Sequence, residues 1–277
     1  ADMKAAASML VGLAHWNPHW QCFSMNPNCT AGATNALDQL LSNHTTDFAN
    51  VIELEISNTT YTPPTGWASL GAYESCGNDW ATLFYRSTRW IVTESEVGCD
   101  YDGRSFAAGR FESKTVEGFS VSVVGAHYPQ TLNASTHAYE DASAVLRAVF
   151  EKLTVSESGE QKVPAILLAD TNTEGPEGAS VSPEHHGVNK TNQQLASDLG
   201  IWHEQTEPPS TPLYYGCCYS DDFQWQGDRI ISNMGKILNH TVLFDPVPAW
   251  AAFDSSEFHK GVVATLTLDV PPDSSLG

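Results

Sequence analysis

Seven short runs rich in β-branched and aromatic residues, at 9–14, 51–56, 80–85, 120–125, 165–168, 228–232 and 262–268, are mostly bounded by Gly, Pro, Asn or Asp. This punctuation limits the possible folds more than any other feature of the chain. Helical periodicity is confined to three segments: 34–43, 137–153 and 189–199. In the second, Ala138, Ala142, Val145, Leu146, Val149 and Leu153 recur at steps of three and four. Strands and helices therefore interleave without a strict βαβ rhythm, which predicts a mixed-sheet, layered α/β or α+β fold. With 277 residues, 41% of them apolar, the chain can bury a large core and reads as one domain over 1–277. Residues 173–187 and 207–216, rich in turn formers, read as loops at strand ends, candidates for the rim of a cleft.

Compartment is read from two features. Asn-x-Ser/Thr triplets occur at Asn28, Asn43, Asn58, Asn133, Asn189 and Asn239, spread over the whole length, and point to a secreted glycoprotein. The cysteines are even in number, as suits an oxidising compartment. Cys22 with Cys29 and Cys76 with Cys99 are the expected short loops, while Cys217 and Cys218 either bridge each other or form two long-range bonds. The opening Ala-Asp-Met-Lys reads as a mature terminus rather than a signal peptide. No run of 18 uncharged apolar residues spans a bilayer. The net charge of −20 repels polyanions and anionic membranes over a Debye length of about 8 Å.

Polar groups at the ends of apolar runs carry the chemistry. Four apolar residues lead into Asp170-Thr171-Asn172, so that a carboxylate and a carboxamide two positions apart leave the strand on one face. The bland alternative is an Asp/Asn turn bonded to its own backbone. His127 ends the run that begins at Ser120, Asp228 opens another, and His259 precedes the last. An aspartate so placed could fix the tautomer of a histidine and stabilise its protonated form.

In order, Trp16-Asn17-Pro18-His19-Trp20, Asp47 through Glu53, His127, Asp170-Thr171-Asn172, Asp228-Arg229-Ile230 and His259 resemble the motifs of the endonuclease/exonuclease/phosphatase superfamily. The match spans roughly residues 11–268. The resemblance implies a deoxyribonuclease I-like α+β four-layer sandwich: two packed, mainly antiparallel sheets flanked by helices. It implies that Asn17 and Glu53 hold a divalent cation, Mg²⁺ or else Mn²⁺ or Ca²⁺, with Asp170 and Asn172 positioning metal, water and phosphate. By the same resemblance His259, oriented by Asp228, is the general base, and His127 assists the leaving group. Asp79 would orient His127, and Arg104 would contact phosphate.

The chain departs from the pattern twice. The usual Gln-Glu is Ile52-Glu53, with Glu55 two residues on; Glu53 is preferred because Asp47 lies six residues before it, as in the superfamily's Asp-x-x-x-x-Gln-Glu. The closing Ser-Asp-His is Glu257-Phe258-His259, so the carboxylate directly before the histidine is missing unless Glu257 or Asp254 replaces it. The expected activity is hydrolysis of phosphodiesters by a secreted, metal-dependent enzyme, a nuclease first. The alternatives are a phosphomonoesterase or sphingomyelinase-type hydrolase acting on small or lipid phosphoesters, and a glycosylated binding protein that has lost its chemistry.

Overall fold

Strands of the chain pair into two mixed sheets in a computed structural model that describes residues 8–54, 61–71, 76, 80–101, 103–130, 136–155, 163–173 and 188–270. The strands are β1 (Ser8–Trp16), β2 (Phe48–Ile52), β3 (Trp67–Gly71), β4 (Ala81–Arg86), β5 (Trp90–Tyr101), β6 (Arg104–Ser113), β7 (Ser120–His127), β8 (Ala165–Asp170), β9 (Asp228–Ser232), β10 (Lys236–Val242) and β11 (Val262–Asp269). The helices are α1 (Trp20–Ser24), α2 (Pro27–Ser42), α3 (Thr136–Thr154) and α4 (Asn192–Asp198). One sheet has the order β10-β11-β1-β2-β4-β3, the other β5-β6-β7-β8-β9. The β1/β2 and β7/β8 pairs are parallel, and the remaining pairs are antiparallel.

Three apolar clusters define four layers. Met9, Val11 and Leu13 meet Val121, Val123, Ile166 and Leu168 between the sheets. Val124, Ala126, Leu167 and Ala169 pack outward on Leu146, Val149 and Phe150 of α3. Trp16, Ala49 and Val51 pack on Leu37 and Leu41 of α2 from the other side. Alternate residues of β8 thus enter two different cores, which is why Ala165–Ala169 is a continuous apolar run rather than an alternating one. The α+β sandwich is as expected.

Several boundaries differ from the sequence reading. The second strand covers Phe48–Ile52, not 51–56, because Glu53 takes a left-handed backbone with φ 54° and ends it. Glu55 lies outside the described residues. Strands β3, β5, β6 and β10 escaped the sequence: β3, β5 and β10 are sheet edges, and in β5 exposed Thr93 and Ser95 alternate with partly buried Glu94 and Glu96, while β6, inside its sheet, interrupts its apolar residues with Arg104, Ser105, Arg110 and Glu112. Helix α2 starts at Pro27 rather than Thr34, since Asn26 Oδ1 accepts the Asn28 and Cys29 N–H groups and caps it. Disulfides join Cys22–Cys29 and Cys76–Cys99, the two short loops, and Cys217 bonds Cys218 rather than a distant partner. Among the described residues no helix is long and apolar enough to cross a membrane.

Candidate active site

Sheet register assembles half of the site. His127 closes β7, Asp170 closes β8 and Asp228 opens β9; in the ladder His127 lies opposite Asp170, and Asp170 opposite Asp228. Parallel β7/β8 and antiparallel β8/β9 pairing thus bring three strand termini to one edge. The turn after Asp170 is locked there. Asp170 Oδ1 accepts the Asn172 N–H at 3.0 Å, and Asn172, at φ 45°, donates Nδ2–H to Tyr128 O at 2.7 Å. One carboxylate oxygen therefore makes the backbone turn and the other, Oδ2, faces the site. Gly227 permits the approach, because a Cβ there would lie 2.6 Å from Asp170 Oδ1.

The other sheet and its loops supply the rest. Just past β1, Asn17 donates Nδ2–H to Glu53 Oε1 at 3.1 Å and to Asp170 Oδ2 at 3.2 Å, tying the two carboxylates together across the sheets. Its Oδ1 accepts the His19 N–H at 2.8 Å. Glu53 Oε2 accepts the Trp20 N–H at 3.0 Å, and His127 Nε2 lies 3.5 Å from Oε1. His259, on the segment before β11, sets Nδ1 3.0 Å from Asp228 Oδ2 and 3.7 Å from Asp170 Oδ2. Three residues of this cluster, His19, Glu53 and Asn172, have positive φ, a strain that surrounding bonds must hold.

A buried chain backs the Asp228–His259 pair. His15 Nε2 lies 3.0 Å from Asp228 Oδ1, and Asn50 Nδ2 lies 3.2 Å from His15 Nδ1 while also donating to Leu168 O. Since the amide can only donate, His15 Nδ1 accepts, and the proton sits on Nε2 facing Asp228. Both oxygens of Asp228 are thereby engaged. Burial would raise its pKa, but His259 and His15 outweigh it and hold Asp228 below the usual carboxylate range. Burial would lower His259, but Asp228, then Asp170 and Glu53, push it up to about 9. His127 goes the other way. Burial, then the Arg104 guanidinium, hold it well below the usual imidazole range, with Arg104 Nη1 2.7 Å from its Nε2.

Glu53, Asp170 and Asp228, all buried, form a group of three carboxylates set against the Arg104 guanidinium, with Nη1 3.9 Å from Glu53 Oε1, and the His259 imidazole. Charges this close are costly without a cation, so the donor set fits a divalent metal. Asp170, Asp228 and His259 bring ligand atoms within 4.8 Å of one another, but Asp228 is committed to two histidines, leaving Asp170 Oδ2 and Glu53 as the oxygen donors. The second such group, Cys217, Cys218 and His259, has its sulfurs in a disulfide and offers no thiolate.

The sequence matches no protein-family model and no curated protein. Solved structures do match, over nearly their full length. An endonuclease/exonuclease/phosphatase family protein from Bacteroides thetaiotaomicron superposes with a TM-score of 0.66 at 14% identity, covering 95% of this chain and 100% of that one. The chain has the endonuclease/exonuclease/phosphatase fold. A mannosyl-6-phosphatase of Bacteroides thetaiotaomicron gives 0.60 at 14% identity, with 92% and 98% covered. D. rerio TDP2 complexed with a single-strand DNA product gives 0.55 at 15%, again with 92% and 98% covered.

Within this endonuclease/exonuclease/phosphatase fold, Asn17, Glu53, Arg104, His127, Asp170, Asn172, Asp228 and His259 gather at one end of the two sheets. Asp79, expected to orient His127, lies outside the described residues, and Arg104, expected to contact phosphate, stands against His127. The missing carboxylate before His259 has a physical reason: Phe258 is fully buried and packs on Trp16, Phe244 and Trp250 in the outer core. Asp254 is exposed. Glu257 turns to His19, with Oε2 2.9 Å from Nε2. Sequence reading missed His15, Asn50 and the role of His19. The signal available was a polar residue inside an otherwise apolar strand, as in Val11–Trp16 and Phe48–Ile52. Asn50 fits because Gly125 lacks a side chain; a Cβ there would lie 2.3 Å from Asn50 Oδ1.

Proposed function

We propose that the protein is a secreted, divalent-cation-dependent phosphoesterase that cleaves phosphodiesters, with nucleic acid as the first substrate class. The observation that carries this reading is the joining of His127, Asp170 and the Asp228–His259 pair to Glu53 and Asn17 in one buried cluster. Glu53 and Asp170 would hold the cation, which when bound would neutralise phosphate charge and polarise the ester. His259, its Nδ1 held by Asp228 and its Nε2 3.6 Å from Cys218 Sγ, would take through Nε2 a proton from water attacking phosphorus in line. Neutral His127, with Arg104, borders the opposite side of Glu53, where a leaving oxygen and a phosphoryl oxygen would be stabilised. Asn172 holds the Asp170 turn in place. Exposure of the described sequon residues Asn28, Asn43, Asn189 and Asn239 is consistent with glycosylation and secretion.

A second reading, phosphomonoester hydrolysis on a small substrate, is favoured by the net charge of −20, which opposes binding of long polyanions. Assaying DNA, RNA, sphingomyelin and small phosphomono- and diesters, with Mg²⁺, Mn²⁺ or EDTA, separates the two. Cleavage of a diester that EDTA stops is expected. Turnover confined to monoesters selects the second reading, and turnover unaffected by EDTA refutes the metal requirement.

A further inference from the structure

We propose that His19 is a nitrogen ligand to the cation held at Glu53, with Glu257 as an added carboxylate, so that the site prefers Mn²⁺ over Mg²⁺. This rests on the metal-dependent reading above and specifies its site. His19 Nε2 lies 3.5 Å from Glu53 Oε2 and 2.9 Å from Glu257 Oε2. Donor atoms about 2.1 Å from one first-row cation are separated by about 3.0 to 3.5 Å, so the imidazole already stands near a ligand's place.

Three further observations turn the site towards this donor. Asn17 Oδ1 is taken by the His19 N–H and its Nδ2 by Glu53 and Asp170, so its carboxamide clamps the carboxylates. Asp228 has both oxygens bonded to histidines. Phe258 occupies the position directly before His259 and faces the outer core, while Glu257, one residue earlier and partly exposed, reaches His19. Glu53 accepts one hydrogen bond on each oxygen and keeps a lone pair on each for a cation, and His19 with Glu257, drawn in around the ion, makes up the number of donors.

Ligation through Nε2 puts the ring proton on Nδ1. That ends the Gln21 N–H···Nδ1 contact, which at 3.4 Å is long for a hydrogen bond. The turn keeps its backbone bond from Cys22 N to His19 O at 3.0 Å, and the Cys22–Cys29 disulfide fastens α1 to α2. An imidazole among carboxylates moves affinity along the series in which Mn²⁺ exceeds Mg²⁺, whose preferred ligands are all oxygens.

The test is Mn²⁺ binding to the intact protein by electron paramagnetic resonance, with Mg²⁺ as competitor. Nitrogen coupling to the bound Mn²⁺ is read by pulsed measurement in the native chain and in the His19→Gln, Glu257→Gln and Glu53→Gln variants. The native protein should show imidazole coupling. His19→Gln should lose that coupling and about tenfold of the preference for Mn²⁺, and Glu257→Gln, at a partly exposed position, should weaken Mn²⁺ binding while keeping the coupling. Coupling that survives in His19→Gln comes from another histidine and overturns the proposal alone, as does an unchanged preference. Equal Mn²⁺ binding by native protein and Glu53→Gln, or none by the native protein, overturns this proposal and the metal site of the proposed function together.

Discussion

The two halves of the site are held by different means. His127, Asp170 and Asp228 are fixed by strand register, each within two residues of a core position, and share their rigidity with the sandwich. Glu53, His19 and Glu257 sit on loops where positive φ, a helix cap and a short disulfide do the holding. In the proposed function the first half would move protons and lend Asp170 Oδ2 to the cation, and the second would supply the remaining donors. Rigid strands suit groups whose hydrogen bonds must stay aligned, and loops suit ligands that must close around an ion.

Variants can break that division. His259→Ala should lower kcat/KM on a model phosphodiester by about 10³-fold while Mn²⁺ binding persists, because it removes the proton acceptor and leaves the donors. Loss of metal binding in that variant would show that the halves are one unit. Glu53→Gln should cost about 10²-fold and abolish the rise in melting temperature on adding Mn²⁺, measured by calorimetry.

The pH response sharpens the contrast. In the proposed role His259 must be neutral to take the proton, and its pKa is pushed up to about 9, so kcat/KM should climb with pH until about 9 and then level. A profile that instead falls above 9 would assign it the acid's role. Its raised pKa also makes the Asp228 pairing stabilising below the ordinary imidazole value of about 6.5, a contribution lost as pH rises through about 9. The difference in unfolding free energy between native protein and His259→Asn should therefore shrink across that window. His15→Leu should have the smallest effect, about 1–3 kcal/mol in denaturant unfolding, by leaving Asp228 Oδ1 buried without its donor.

These halves were unequally legible. His127, Asp170 and Asp228 stood out because an apolar run that terminates in a charged or imidazole group is visible without knowing its neighbours. Which strands lie side by side was not visible, since β8 and β9 are separated by nearly sixty residues and only the ladder joins them. His19 and Glu257 were obscure for a different reason: loops carry no period, and a contact between residues 19 and 257 leaves no local trace. His15 and Asn50 could be seen as polar interruptions, yet their bond exists only because β1 and β2 are parallel neighbours. Edge strands β3, β5 and β10 lacked the apolar signal because one side of each meets solvent.

The β7–β8–β9 ladder has a consequence for how such a chain can vary. Side chains alternate faces along a strand, so inserting or deleting one residue within β8 would rotate Asp170 into the helix-side core and bring Ala169 or Thr171, respectively, to the site edge. The strand interiors therefore behave like text in a fixed frame, where a single-letter shift garbles the end of the line. The connections between them carry no such frame and can lengthen, shorten or change character while the three terminal residues keep their places.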